Sequence, residues 1–256
     1  MIIKRKGCRA DTKDKRDHSF KRMATRRRAL PASADVRRYC PPLTDQGNLG
    51  SCVLQSIQFV LRWHANRYGF GPATDHALSV LQLYYDTRAR EGTINSDAGC
   101  EIRNAIKCLK EIGMGREKDW PYVISKFKQK PPPEVYKMAK LFTALTYERV
   151  PITASDVKWA IVEGYPVIIG ISLFDSFDSE DVERTGLVPM PGDDESMTGG
   201  HAMVIVGFGQ KKNCFTTANW WTEKWGDKGY CYIPYSYIGS KDLGSDYWAI
   251  KNLGGS

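Results

Sequence analysis

The chain has 256 residues, 42% of them hydrophobic, enough to bury one large core or two packed lobes that share a cleft. Its net charge of +8 points at first to an acidic partner, but residues 1–30 carry twelve Lys and Arg against Asp11, Asp14 and Asp17, a net +9 that leaves −1 for residues 31–256. The excess basicity is local, the remainder is near neutral, and no nucleic-acid partner is expected.

No apolar run approaches the roughly eighteen residues that a membrane span needs. Met1-Ile2-Ile3 is followed at once by Lys4-Arg5-Lys6, so neither a transmembrane segment nor a signal region is expected. Residues 1–30 are polar, lack a sustained apolar period and would not bury a core alone. They form one unit in this reading, and residues 31–256 form a second. Pro31 and Pro41-Pro42 bracket an extended stretch, because residues before proline are pushed out of the helical region. A Gly-rich turn follows, Asp45-Gln46-Gly47-Asn48-Leu49-Gly50-Ser51-Cys52. After it Val53, Leu54, Ile57, Val60, Leu61 and His64 recur at three- and four-residue steps, which predicts a helix with Cys52 in its first turn. Unpaired backbone N–H groups and the macrodipole there favour a thiolate.

That helix is expected to end near Tyr68-Gly69. A second is predicted from Asp75 to Arg90 and a third from Glu101 to Ile112, stopped by Gly113. Trp120-Pro121-Tyr122 and Pro131-Pro132-Pro133 break the helical pattern, so roughly residues 31–140 read as a helical lobe. Residues 141–256 change character: a strand over Phe142–Val150, a short helix over Ser155–Glu163 capped by Ser155, and a buried strand over Pro166–Leu173. Phe174–Gly200 reads as a long acidic loop holding eight Asp and Glu against Arg184 alone, and a loop that long is more often functional or mobile than structural. Strands at His201–Phe208, Cys214–Trp220, Tyr230–Pro234 and Tyr247–Lys251 complete a mostly antiparallel sheet lobe. The fold class is α+β.

Seven cysteines make an odd count, so six could pair with Cys52 set aside. No C-x-x-C unit occurs, which gives zinc, haem and dithiol redox readings little support; no metal and no organic cofactor are expected. A cysteine nucleophile needs a base, a group to orient that base, and donors for the oxyanion. His201, after Gly199-Gly200 at the head of an apolar strand, is the candidate base. Asn219 at the end of the next strand could accept from its ring, and the side-chain amide of Gln46 could serve the oxyanion beside the Cys52 N–H.

These residues in this order resemble papain-like cysteine peptidases: D-Q-G-N-L-G-S-C around the nucleophile, G-G-H-A-M-V-I-V-G-F-G around the histidine, and N-W-W-T-E-K-W-G-D-K-G-Y around the asparagine. The resemblance covers roughly residues 30–256 and includes Gly113–Tyr122. It implies a two-lobe fold, helical beside barrel-like β, with an active-site cleft between, and a cysteine endopeptidase working through a thioester on peptide or protein substrates, as a monomer. Cys52 becomes the nucleophile, His201 acid and base, Asn219 orienter and Gln46 oxyanion donor. Trp221 resembles the indole that shields the Asn–His bond. Gly99 resembles the first of two glycines along which substrate backbone pairs, the second being Cys100 here; Gly50, Ser51 and Gly200 join them as substrate-binding candidates.

The departures also carry information. Cys52 is followed by Val53-Leu54-Gln55 rather than Trp-Ala-Phe, and Asn219 by Trp220 rather than Ser. In register, the cysteines of the family disulfide nearest the nucleophile become Leu49 and Asp97, which suits a reducing compartment: cytoplasmic, or exported by a non-classical route. The amino-terminal segment is far shorter than a helical propeptide, yet Asp11-Thr12-Lys13-Asp14-Lys15-Arg16-Asp17 is similar to a D-x-x-D-x-R-D element of bacterial members. Residues 1–30 are therefore expected to dock across the catalytic domain, basic charge against the acidic Phe174–Gly200 loop, and to gate the cleft as in a zymogen.

Simpler readings stand beside these. Cys100, Cys108, Cys214 and Cys231 suit buried small hydrophobes. His18, His64 and His76 suit surface or core-edge positions, Trp221 and Trp225 suit a core, and Arg26-Arg27-Arg28 is the kind of basic run that is usually solvated. The same site could instead carry another acyl transfer, deamidation or transpeptidation, or serve a binding module without catalysis.

Overall fold

The computed structural model describes residues 5–21, 29–69 and 77–254. Helix α1 (Cys52–Tyr68) is its axis, because every residue from Cys52 to Leu61 is buried. The polar groups it takes inside are satisfied: Ser56 Oγ donates to the Cys52 carbonyl at 2.9 Å, and Gln55 Oε1 accepts from Thr44 Oγ1 at 2.7 Å. The helix stops at Gly69, whose φ of 71° is left-handed and whose N–H returns to Ala65. Near that end Trp63 Nε1 donates to the Val36 carbonyl at 2.9 Å, and His64 Nε2 lies 2.8 Å from the Ile250 carbonyl. His64 is a buried structural residue.

Against α1 pack α2 (Val80–Arg90) and α3 (Ile102–Glu111), the latter burying Ile102, Ala105, Ile106 and Leu109. The other lobe is a seven-stranded antiparallel sheet. Its path runs β4 (Thr143–Arg149), β9 (Gly244–Gly254), β5 (Val167–Phe174), β6 (Met197–Phe208), β7 (Cys214–Ala218) and β8 (Tyr230–Pro234), with β2 (Ala34–Asp35) added to β6. Residues His201–Phe208 of β6 are all buried, because α1 and α5 (Ala154–Val162) both pack on this strand. This is the α+β two-lobe arrangement.

Several boundaries differ from expectation, each for a local reason. The second helix begins at Val80, where Ser79 accepts the Gln82 N–H; residues 70–76, including the predicted start at Asp75 and His76, lie outside the described residues. The cap of α5 is Thr153 rather than Ser155, since the extended Thr153 accepts the Asp156 N–H at 3.0 Å. Pro133, read as a breaker, is the first residue of α4 (Pro133–Ala139), where its missing N–H costs nothing. The Phe174–Gly200 stretch is not one loop: it holds a 3-10 turn at Asp175–Asp178 and α6 (Glu180–Thr185), capped by Ser179, and its last residues already pair in β6. A short α7 (Tyr235–Ile238) follows β8, and β7 ends one residue before Asn219.

Residues 5–21 run along both lobes. Strand β1 (Cys8–Arg9) pairs in parallel with β3 (Cys100–Glu101). Beyond it the acidic motif grips two buried or half-buried arginines. Arg103 bonds to Asp14 and, at 2.7 Å, to Asp17; Arg149 bonds to Asp246 and reaches Asp11 and Asp17 at 3.1 and 3.0 Å; Trp248 Nε1 donates to Asp11 at 2.8 Å. Arg16 instead pairs with Asp14 of its own segment, and Arg26-Arg27-Arg28 lies outside the described residues. Burial, with Asp246 alongside, pushes the Asp11 carboxyl up to about 7.

Burial pushes the His64 imidazole down to about 4 despite its bond to Ile250. A depressed folded value means that the stability it contributes is complete above the unfolded value of about 6.5 and is lost as pH falls toward 4. Asp11, with a raised value, acts in the opposite direction over about pH 4–7. His64→Gln keeps a donor for the Ile250 carbonyl without a titrating ring. Urea denaturation at pH 7 and pH 4.5 should show this variant losing about 2–3 kcal/mol less than the parent on acidification.

Candidate active site

Cys52 is the first residue of α1 and is fully buried. Burial raises its thiol to about 11, offset in part by backbone N–H groups of Ala202, Gly7, Val53 and its own residue that face the sulfur. The turn before it is anchored to the other lobe. Gln46 N–H donates to the Trp220 carbonyl at 3.0 Å, and Asp45 bridges Trp221. The Gln46 amide is buried, with Nε2 donating at 2.9 Å both to the Leu49 carbonyl and to the carbonyl of Arg5.

His201 lies on β6 opposite Ile171. Its Nε2 is 2.8 Å from Asn219 Oδ1; an amide oxygen only accepts, so Nε2 carries the hydrogen and Nδ1 is the basic nitrogen. That Nδ1 is buried and has no hydrogen-bond partner. Asn219 Oδ1 also accepts the Trp220 N–H at 2.8 Å, which fixes the amide. Burial lowers the imidazole to about 4; the Asn219 bond works against this, Lys6 adds to it and Asp178 opposes it. The Trp221 ring stands 4.9 Å from the imidazole, centroid to centroid and tilted by 30°, and is itself backed by Phe177 and Trp225 at 5.7 and 5.2 Å. Cys52, His201, Asn219, Gln46 and Trp221 are thus gathered at one junction between α1 and the sheet. Ser51 differs from the other candidates, because its hydroxyl turns away to Tyr122 OH at 2.6 Å.

Two residues there escaped the sequence reading. Trp220, read as a departure, sends its indole N–H to the Ala202 carbonyl at 3.0 Å and to Ser56 Oγ at 3.2 Å, tying the histidine strand to the cysteine helix. Tyr122 donates to the Gln46 carbonyl at 2.9 Å. Its place in the Trp-Pro-Tyr segment marked it as shared with the family, but nothing in the spacing pointed to Gln46.

The cleft beside Cys52 holds residues 5–9. Gly7 lies so close to Gly50 and Gly99 that a Cβ on Gly7 would overlap the Gly50 carbonyl, and one on Gly99 would overlap the Gly7 carbonyl. Cys100 N–H donates to the Gly7 carbonyl at 2.9 Å, and the Cys8 carbonyl packs onto Gly200. Lys6 pairs with Asp178 and reaches Thr198 Oγ1 at 2.5 Å; Arg5 reaches Asp97 at 3.1 Å, and Arg9 pairs with Glu91. One basic side chain therefore meets the acidic stretch, and two meet the helical lobe. Among the described residues no group of His, Cys, Asp and Glu is arranged to hold a metal, and Cys8, Cys40, Cys52, Cys100, Cys108, Cys214 and Cys231 are all free thiols.

A helical lobe and an antiparallel lobe that meet at a cysteine, a histidine and an asparagine have the architecture of a thiol protease. The chain belongs to the papain family of cysteine proteases, whose sequence profile matches residues 30–238. It is 37% identical over 222 residues to an uncharacterized peptidase C1-like protein of Acanthamoeba polyphaga mimivirus, covering 82% of this chain and 69% of that one. It is 29% identical to cysteine proteinase 3 of Entamoeba histolytica over 79% of this chain and 62% of that protein. Among solved structures it resembles xylellain, a cysteine protease from Xylella fastidiosa, with a TM-score of 0.90, 29% identity and coverage of 99% and 100% of the two chains. The fold also matches procathepsin B of Trypanosoma congolense, with a TM-score of 0.78 at 17% identity over 98% and 87% of the chains. The chain is accordingly a hydrolase of the thiol protease type.

Trp220→Phe removes an indole N–H from a fully buried site and leaves the Ala202 carbonyl without that donor. An orphaned buried acceptor costs about 1–3 kcal/mol, and denaturant titration should read a loss of that size.

Proposed function

We propose that the chain is an endopeptidase in which Cys52, His201, Asn219 and Gln46 carry out acyl transfer from a peptide to water. The observation that supports this best is the 2.8 Å bond from His201 to Asn219, which leaves the basic Nδ1 buried and unpartnered on a strand that Trp220 ties to the helix Cys52 begins. His201 takes the Cys52 proton; the thiolate attacks the peptide carbonyl, whose oxygen receives the Gln46 amide and the Cys52 N–H; His201 then protonates the leaving amine. The resulting thioester is hydrolysed by water that His201 deprotonates. Asn219 keeps the proton on Nε2 and the ring in place throughout, and Trp221 keeps water from that bond.

Mass spectrometry of a peptide substrate should show two shorter products, with neither a one-dalton deamidation nor a ligated product. Cys52→Ala should abolish both fragments, and Gln46→Ala should lower kcat by about 10²–10³-fold, the usual effect of losing one oxyanion donor. Turnover retained in Cys52→Ala would overturn the reading.

The same proposal gives residues 1–30 a gating role, with the segment occupying the cleft in a latent form. Gly7 reaches the Cys52 sulfur with a backbone N–H, Arg5 fills the acceptor position at Gln46, and the Asp11–Asp17 motif clasps Arg103 and Arg149. With the thiol raised to about 11 and the imidazole lowered to about 4 by burial, both groups are neutral at pH 7. Opening the cleft rehydrates them, which lowers the first value and raises the second. A reducing compartment fits the same picture, since Gly50 N–H and Tyr84 O–H bond Asp97 where relatives would need a disulfide.

Gly7→Val should displace the segment through its clash with the Gly50 carbonyl, as should a chain beginning at Leu30. Both should alkylate faster at Cys52 with iodoacetamide at pH 7 and turn over peptide faster than the full chain. Unchanged rates in both would end the gating idea.

A further inference from the structure

The wall of the cleft beside Gly50 carries a fixed carboxylate. Asp97 Oδ1 accepts the Gly50 N–H at 3.0 Å and the Tyr84 hydroxyl at 2.5 Å, and Oδ2 lies 3.1 Å from the same Gly50 N–H. Tyr84 is fully buried, and its oxygen in turn accepts the Gly99 N–H at 3.2 Å, so the carboxylate is held from behind in one orientation. Arg88 lies over the Tyr84 ring, but its N–H groups go to the carbonyls of Ile94, Ser96 and Phe127. Among the described residues, the cation that reaches the carboxylate is Arg5, with Nε on Oδ2 at 3.1 Å and Nη2 3.3 Å from the Asp97 backbone carbonyl.

The placement of Arg5 gives this pair a meaning beyond a surface ion pair. The backbone carbonyl of the same residue accepts the Gln46 amide at 2.9 Å. One residue thus presents its carbonyl oxygen to the oxyanion donor and its guanidinium to Asp97. In a substrate, the residue whose carbonyl oxygen lies at Gln46 is the one whose carbonyl is attacked. Its side chain is therefore within reach of Asp97.

We propose that Asp97 is a specificity-determining residue that selects arginine at the substrate position contributing the scissile carbonyl. This deepens the peptidase reading above and rests on it. The chemistry favours arginine because the receptor is a fork: a carboxylate oxygen and a backbone carbonyl side by side match two N–H groups of a planar guanidinium, whereas a lysine ammonium engages them as a single point. Arg5 is then an internal occupant of this subsite.

Three peptides identical except for arginine, citrulline or leucine at that position separate charge from shape, since citrulline keeps the length and plane of arginine without its charge. With the full chain carrying Gly7→Val, which clears Arg5 from the subsite, kcat/KM for the arginine peptide should exceed that for the citrulline peptide by about 10–100-fold, the range for hydrogen bonds to a charged group. Asp97→Asn keeps an oxygen for Gly50 and Tyr84 and should bring that ratio to within about twofold. If Asp97→Asn does not fold in that background, the ratio in the Gly7→Val chain with Asp97 intact decides alone. Citrulline and leucine peptides cut as fast as the arginine peptide would overturn the proposal and leave the peptidase reading standing, as would an arginine preference that survives Asp97→Asn. Cleavage of none of the three would overturn both.

Discussion

The hydrogen bonds of the Trp220 indole are the constraint on which this site depends. A thiol and an imidazole supplied by different lobes can meet only if the two lobes are held in one register. The Trp220 N–H binds the carbonyl of Ala202, the residue after the imidazole, and the hydroxyl of Ser56, one helical turn beyond the thiol. Its backbone N–H binds the Asn219 oxygen that orients the ring, and its carbonyl accepts the N–H of Gln46. One residue therefore touches the supports of all four proposed catalytic groups. It does so in a fully buried setting, where an unpaired acceptor is costly and the alternatives are few.

That burial also controls charge. A thiolate and an imidazolium taken out of water lose more in solvation than their attraction returns unless further donors surround them. In the covered cleft the balance lies with the neutral pair: burial moves the cysteine up and the histidine down, and Lys6 near the ring adds to the second effect. The segment that covers the cleft is held by groups well away from the chemistry. Its acidic motif encloses Arg149 together with Asp246, and Arg103 together with Asp14 and Asp17. Burial, with Asp246 alongside, pushes Asp11 toward protonation. The clasp therefore depends on proton occupancy.

Much of this was legible in the chain itself. The three- and four-residue steps after Cys52 encode a buried helix, and the apolar runs at 166–173 and 201–208 encode strands covered on both faces, because burial leaves a period in the sequence. Capping chemistry is less legible. Thr153 and Ser155 are equally good caps by composition, and only the extended backbone at Thr153 decides between them. Pro133 reads as a breaker until the helix behind it is seen to start there. The Phe174–Gly200 stretch looked structureless because its acidic face is solvent-facing; α6 buries little beyond Val182, too sparse a signal to show a period. Trp220 and Tyr122 escaped notice because their effect lies in polar contacts across more than sixty residues of sequence, which periodicity does not encode.

The geometry at Gly7 bears on how a peptidase can carry a peptide in its own cleft without cutting it. Under the roles proposed here, cleavage needs one peptide group to place its carbonyl carbon at the sulfur and its oxygen at the oxyanion donors together. In the resident segment these requirements fall on different residues. The oxygen at Gln46 belongs to Arg5, whereas the sulfur faces the N–H of Gly7. An N–H offers a thiol a hydrogen bond and no electrophile. Glycine is what permits so close an approach, since any side chain at position 7 would overlap the Gly50 carbonyl. The residue that seals the cleft is thus also the one that keeps the seal intact, and Cys8, seated with its carbonyl on Gly200 and its sulfur against Gly170, holds that offset in register along β3.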